Sequence, residues 1–239
     1  MVDIILRDAF LLGYFYNSDR GVIFYGQSKQ NNSKKYSLNF FNFIQRFRVI
    51  ESNYNKYFKY LQQRKWTGLF YRKYWLYPRL SILLKGKTLD MGCGIGDLVR
   101  YRSNTVGVDI NPHTVESCKS NGLDVKLMEI DSLPFGEKLF ESVILDNVLE
   151  HIEKPFKIIK EVHRVLVDEG ILIIGVPGFL GYASDSDHKV FYSKEKMIDT
   201  ITGMGFYTKK TFSMPINLDW LSKRLRQYCI YGVFVKIPD

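Results

Sequence analysis

Residues 88–97 read TLDMGCGIGD, and this stretch decides the fold. It follows a basic turn, Lys85-Gly86-Lys87, and a short apolar run stops in it at glycines 92, 94 and 96. A backbone without Cβ atoms can lie directly against a ligand and tolerates φ > 0. At the carboxyl end of a parallel strand, such a turn is where α/β proteins bind nucleotide-like ligands. The dinucleotide fingerprint G-x-G-x-x-G sets a helix N-terminus on a pyrophosphate. Here Asp97 stands at the third-glycine position, and Asp90 lies two residues before the first glycine. A carboxylate there suits a ligand carrying positive charge better than a pyrophosphate.

Downstream, apolar runs alternate with helical spacing. Residues 104–109 read as a second strand ending in Asp109, with Pro112 suited to the first turn of a helix. An acidic group at this tip can accept two ribose hydroxyls; it also fits an NAD enzyme, or a plain capping or turn Asp. A third strand over 124–130 runs into Asp131, Ser132 and Leu133. A fourth over 142–147 runs straight into VLEHI at 148–152. Ile158, Ile159, Val162, Val165 and Leu166 recur at helical spacing. The fifth strand, 170–177, shows little alternation, as expected of a strand buried on both faces. A polar loop over 178–188, a helix capped by Ser193, a strand at 205–212, a short helix near 218–226 and a last strand at 227–235 complete the pattern. The order predicts a doubly wound parallel sheet.

The motif Leu89-Asp90-x-Gly92-x-Gly94-x-Gly96 resembles that of the class I S-adenosylmethionine (SAM)-dependent methyltransferases, and the resemblance covers residues 85–239. It implies an α/β, Rossmann-like doubly wound seven-stranded sheet, parallel except for an antiparallel last strand. It implies SAM as cofactor, held along Asp90, Gly92, Cys93, Gly94 and Gly96. Asp109 and Ile110 would lie at the ribose, Asp131 and Ser132 at the adenine with Leu133 packed on the ring, and Asn147 near the amino-acid end. Cys93 is given no chemistry beyond fitting the turn. The stretch Leu149-Glu150-His151-Ile152 resembles the branch that methylates quinone precursors, small metabolites and cell-surface sugars. In the ubiquinone-pathway O-methyltransferases the corresponding Glu-x-x-Glu-His binds a divalent metal. Asn147 replaces the first of those carboxylates, so no metal ligand is assigned.

Methyl transfer to a hydroxyl needs the acceptor in line with the methyl and a group to take its proton. His151 and Glu150, just past strand four, and His188, in the loop after strand five, are the candidate catalytic residues. Histidine titrates near neutral pH. The blander readings are a His151 that holds its loop by a hydrogen bond and a His188 that is solvated. His113 and His163 have helix-surface contexts.

The 239 residues carry a formal net charge of +9, unevenly spread. Residues 1–86 hold 15 Lys and Arg against 4 Asp and Glu, and 21 of the aromatic residues. Residues 1–84 are expected to be an N-terminal arm and helical cap, with helices near 42–63 and 67–84, and residues 85–239 a SAM-binding domain. The first 35 residues hold no run long enough to span a bilayer and lack a signal-peptide pattern, and 27–35 reads as a linker. Scattered Cys93, Cys118 and Cys229 argue against a disulfide scaffold and fit a reducing cytoplasm. The basic, aromatic front suggests a saccharide or related hydroxylated acceptor, a glycan on an anionic lipid carrier being one that explains both features, with peripheral membrane contact. The rival readings are an RNA or other small-molecule methyltransferase, which lacks the N/D-P-P-Y/F signature of amino methylation after strand four, and a non-catalytic SAM-fold binding module.

Overall fold

A computed structural model of the chain describes residues 51–238, and only the backbone of Asp219. The expected arm over 1–40, the linker at 27–35 and the first part, 42–50, of the helix expected over 42–63 lie outside the described residues; the rest of that helix is present over 51–62. From Tyr54 onward the chain forms one compact unit. A second helical stretch runs through α1 (Trp66–Tyr71), a π-helical turn (Arg72–Leu76) and α2 (Tyr77–Leu83). Pro78 lies where α2 continues directly from the π-helical turn, so its missing N–H leaves one bond of the continuous helix unmade.

The expected alternation follows: β1 (Thr88–Met91), α3 (Asp97–Tyr101), β2 (Thr105–Asp109), α4 (Pro112–Ser120), β3 (Val125–Leu127), β4 (Phe140–Asp146), a 3-10 turn (Leu149–His151), α5 (Phe156–Val165), β5 (Leu166–Pro177), α6 (Phe179–Ala183), α7 (Lys194–Thr202), β6 (Phe206–Met214) and β7 (Cys229–Lys236). The sheet order is β3-β2-β1-β4-β5-β7-β6. β3, β2, β1, β4 and β5 pair in parallel, and β7 runs antiparallel to both β5 and β6. This is the Rossmann-like doubly wound seven-stranded sheet with an antiparallel last strand. The order reverses between β1 and β4, and crevices for ligands open at the carboxyl ends of such strands.

Successive side chains in a strand face opposite sides. On one face Val143, Leu145, Leu172 and Ile174 pack with Ile158, Ile159, Val162 and Val165 of α5 and Met197 and Ile201 of α7. On the other, Ile144, Ile171 and Ile173 pack with Leu76, Tyr77, Leu80 and Leu84. The cap helices therefore complete one side of the core. Four elements differ from expectation, the first being the short helix α6 at the start of the loop expected over 178–188. β3 is shorter, because the chain turns after Leu127 and bridges Glu129 to Ser132. β5 starts earlier, reaching β4 across an irregular register with Glu169 at positive φ. The helix expected near 218–226 contracts to a 3-10 turn, Asp219–Lys223.

Candidate active site

The glycine turn caps β1. Gly92, Gly94 and Gly96 all have positive φ, and a Cβ on Gly92 would meet Val148 Cγ2 at 2.5 Å. Asp109, at the tip of β2, holds the turn from the side. Its Oδ2 accepts the Gly94 N–H at 2.8 Å, and its Oδ1 accepts the Asn111 N–H at 2.8 Å. Burial pushes the Asp109 carboxyl up, and these backbone donors oppose the shift. Ile110 is partly exposed next to it. Cap residues close over this end. Arg64 Nη1 lies 2.7 Å from Asp97 Oδ2 at the start of α3, and Asn111 donates to the Tyr54 carbonyl at 2.9 Å. Tyr57, on the same cap helix, has its hydroxyl pushed up to about 12, first by burial and then by Asp109.

Beneath the turn lies a charged cluster. Asp90 is 5% exposed. Its carboxyl is pushed up to about 8, chiefly by burial and then by the nearby Asp146, while Arg72 opposes the shift. Arg72 Nη1, from the π-helical turn, lies 3.4 Å from Asp146 Oδ2 and 3.4 Å from the Tyr77 hydroxyl. Asp146 Oδ1 accepts the Tyr231 hydroxyl at 2.7 Å and the Asn147 amide at 3.0 Å. Asn147 itself sits at φ 59° and accepts from Cys229 Sγ at 3.5 Å. One cation among several carboxylates leaves room for a second positive group.

Past β4, the 3-10 turn brings the candidate catalytic residues together. The Glu150 carbonyl accepts the N–H groups of Lys189 and Val190 at 2.8 and 3.0 Å, which ties the loop after β5 to this turn. His188 is thereby brought over Glu150, its Nε2 3.8 Å from Glu150 Oε1. His188 Nδ1 lies 2.8 Å from the Tyr182 carbonyl. A carbonyl only accepts, so Nδ1 carries a proton; in the neutral ring it is then Nε2 that has the lone pair. The His151 and His188 rings lie 4.7 Å apart. Glu150 is 1% exposed, and neither carboxylate oxygen has a hydrogen-bond partner. Burial pushes its carboxyl up to about 8. His151 Nδ1 lies 3.3 Å from Asp187 Oδ2. Burial, then His188, push the His151 imidazole below its usual range.

The blander reading of His188 is not met, since its side chain is 8% exposed. Glu150, His151 and His188 each offer one ligand atom within 4.8 Å of the others. Asn147 is turned toward Asp146 and Cys229. At the third strand Asp131 is partly exposed and lies 3.2 Å from Lys157 Nζ, and the Ser132 N–H points to the Glu129 carbonyl. Leu133, expected against the adenine, is 3% exposed and belongs to the core. The residues that sequence reasoning did not select are Arg72, Tyr77, Tyr231 and Tyr57. For Arg72 one signal exists: it is in helical phase with Leu76 and Leu80, both buried.

A family profile described as a methyltransferase domain matches residues 89–174. An uncharacterized protein of Methanocaldococcus jannaschii is 31% identical over 133 residues, covering 51% of this chain and 65% of its own. The Bos taurus protein named "Probable tRNA methyltransferase 9B" is 31% identical over 125 residues, covering 50% of this chain and 26% of its own. A ubiquinone/menaquinone biosynthesis C-methyltransferase of Desulfotalea psychrophila is 27% identical over 36% of this chain and 39% of its own. The chain thus spans less than two thirds of the length of each of these relatives. Among solved structures, a SAM-dependent methyltransferase of Thermotoga maritima superposes with a TM-score of 0.60 at 19% identity, over 80% of this chain and 99% of that one. One from Aquifex aeolicus gives 0.57 at 15%, over 76% and 98%.

Proposed function

We propose that the chain is a class I SAM-dependent methyltransferase, a reading supported by the methyltransferase-domain match over residues 89–174, and that it moves the SAM methyl group to a hydroxyl of a saccharide or related hydroxylated acceptor. One observation carries this reading. A cluster able to hold and move a proton, Glu150, His151 and His188, stands at the carboxyl ends of β4 and β5, on the same sheet edge as the glycine turn after β1. SAM supplies a methyl on a positively charged sulfur, and the sulfur departs as a neutral thioether.

The chain's own groups do the rest. The turn at Gly92, Cys93, Gly94 and Gly96 offers bare backbone. Asp109 offers acceptors to the ribose beside Ile110, and Asp131 and Ser132 stand at the adenine end. Asp90 offers a carboxylate to the ammonium, with Asn147 nearby. His151, kept neutral, takes the acceptor proton, and Asp187 faces the imidazolium that results. His188 and Glu150 orient the acceptor hydroxyl from behind. Such base assistance is worth about 10²–10⁴ in rate.

A second reading has the same cluster hold a divalent cation. It is favoured by the two unpartnered Glu150 oxygens and by the His188 tautomer, which aims a lone pair at them. A carboxylate with two imidazoles suits such an ion, and an Nδ1–H fixed by a carbonyl is the usual outer support. The cation would polarise the acceptor oxygen. An RNA acceptor draws on the tRNA name of one relative and on the basic front. A non-catalytic module is the remaining alternative.

The deciding experiment is calorimetry with SAM and its demethylated product, on wild type and Asp109→Ala. Micromolar binding of both, weakened at least about tenfold in the variant, supports the reading, since one lost pair of charge-assisted bonds is worth about 1.5–3 kcal/mol. No binding to wild type ends it. An acceptor screen then compares wild type with His151→Ala, with and without a chelator.

A further inference from the structure

α1 (Trp66–Tyr71) has the sequence WTGLFY and buries none of its residues. Trp66 is 75% exposed and Phe70 59% exposed, four residues apart and so on one face. Phe70 and Tyr74 continue that face, their rings 4.6 Å apart. Trp75 then donates its indole N–H to the Pro215 carbonyl at 3.0 Å. This joins the helix to the segment that leads from β6 to β7, where Ile216, Leu218 and Trp220 are also exposed. Surfaces rarely leave this many large apolar groups exposed on two joined segments without a partner.

The surrounding charge indicates the partner. Between residues 54 and 89 the chain has nine Lys and Arg and no Asp or Glu; Arg64 and Arg72 are paired with Asp97 and Asp146, which leaves seven with no carboxylate from this stretch to offset them. Lys223, Arg224 and Arg226 lie beyond Trp220 and are exposed. Lys73 lies 5.4 Å from the Tyr74 ring centre and Arg224 5.3 Å from that of Trp220. A second copy is disfavoured, because an isologous contact would set this basic surface against itself. Single-stranded nucleic acid stacks on aromatics but gains nothing from Leu69, Ile216 and Leu218. Trp and Tyr at headgroup depth, aliphatic groups below them and Lys or Arg around them are what a bilayer surface selects.

We propose that the face formed by Trp66, Phe70, Tyr74, Ile216, Leu218 and Trp220 is a docking surface for an anionic phospholipid membrane. It lies on the membrane and does not cross it; no described helix is long and apolar enough to span. The inference does not depend on methyl transfer. Arg72, in the turn that continues α1, reaches Asp146 beneath the glycine turn, so the docked face and the site share one helix.

The test uses the full chain with vesicles of one part phosphatidylglycerol to three parts phosphatidylcholine, and with phosphatidylcholine alone. Cosedimentation and tryptophan emission are read for wild type and for a Trp66→Ser, Phe70→Ser, Tyr74→Ser triple variant, with SAM affinity as the folding control. Expected are binding to the anionic vesicles, a blue-shifted emission, weaker binding to the neutral ones, and a loss of about tenfold or more in the variant. Failure of wild type to bind, or equal binding by the variant, overturns the proposal. So does retention of a single-stranded RNA that the variant loses while vesicles are ignored. A wild-type dimer that the variant dissociates, again without vesicle binding, assigns the face to self-association and overturns it too.

Discussion

Asp90 shows how one residue can couple cofactor binding to pH. Its carboxyl is pushed up to about 8, so it is mostly neutral at pH 7 in the unliganded chain. A bound ammonium favours the ionised form, so binding SAM releases a proton. Affinity for SAM should therefore rise as pH climbs from 6 toward 8, where the ligand's own ammonium begins to lose its proton. Calorimetry in buffers of different ionisation enthalpy should show proton release near pH 7, and Asp90→Asn should show a flat profile and none. A flat wild-type profile would remove Asp90 from contact with the ammonium. Stability has the opposite slope. The folded state holds this proton more tightly than the unfolded chain, so the Asp90 contribution worsens from about pH 4 to pH 8. The sequence made Asp90 legible because its spacing to the glycines is fixed by the motif. It left Leu133 misread, because an apolar residue beside a ligand and one in the core look alike; only its burial within the core cluster separates them.

At the scale of elements, strands were legible wherever burial on both faces forces an unbroken apolar run, as in β4 and β5. Their ends were not, because β5 is extended by an irregular register with β4 that depends on Phe140 meeting Leu166. The three catalytic candidates could be named from position after β4 and β5. That His188 lies over Glu150 could not, since it follows from two backbone bonds between distant segments. The π-helical turn left no sequence signal at all, yet it carries Arg72 to Asp146. Replacing Arg72 with Gln leaves Asp90 and Asp146 with no cation between them. We expect a loss of about 2 kcal/mol in denaturant unfolding, given the partial exposure of the pair. The midpoint of the pH dependence of SAM binding should also move upward, above that of wild type, because Arg72 is what holds Asp90 down. A change in stability with an unmoved midpoint would make Arg72 a packing residue only.

For the whole molecule the question is where the SAM-binding unit begins. The glycine motif invites a boundary at 84–85, with the preceding helices as a separate cap. Contacts put Tyr54 and everything after it in one compact unit. Leu76, Tyr77, Leu80 and Leu84 are buried against Ile144, Ile171, Ile173 and Val233, and supply one side of the sheet's core. Each such side chain is worth about 1.5–3 kcal/mol when buried, so four together rival the 5–15 kcal/mol that typically holds a domain folded. Arg64 at Asp97 and Arg72 at Asp146 add charge that the site itself uses. A chain of residues 54–239 should therefore fold cooperatively and bind SAM with an affinity within about threefold of the full chain, well under the 1.4 kcal/mol that a tenfold change represents. A chain of residues 85–239 should expose Ile144, Ile171, Ile173 and Val233, unfold without a sharp transition and fail to bind. Circular dichroism melts and calorimetry on the two truncations read this directly. Cooperative melting and SAM binding by 85–239 would return the boundary to the motif and reduce the cap helices to an appendage.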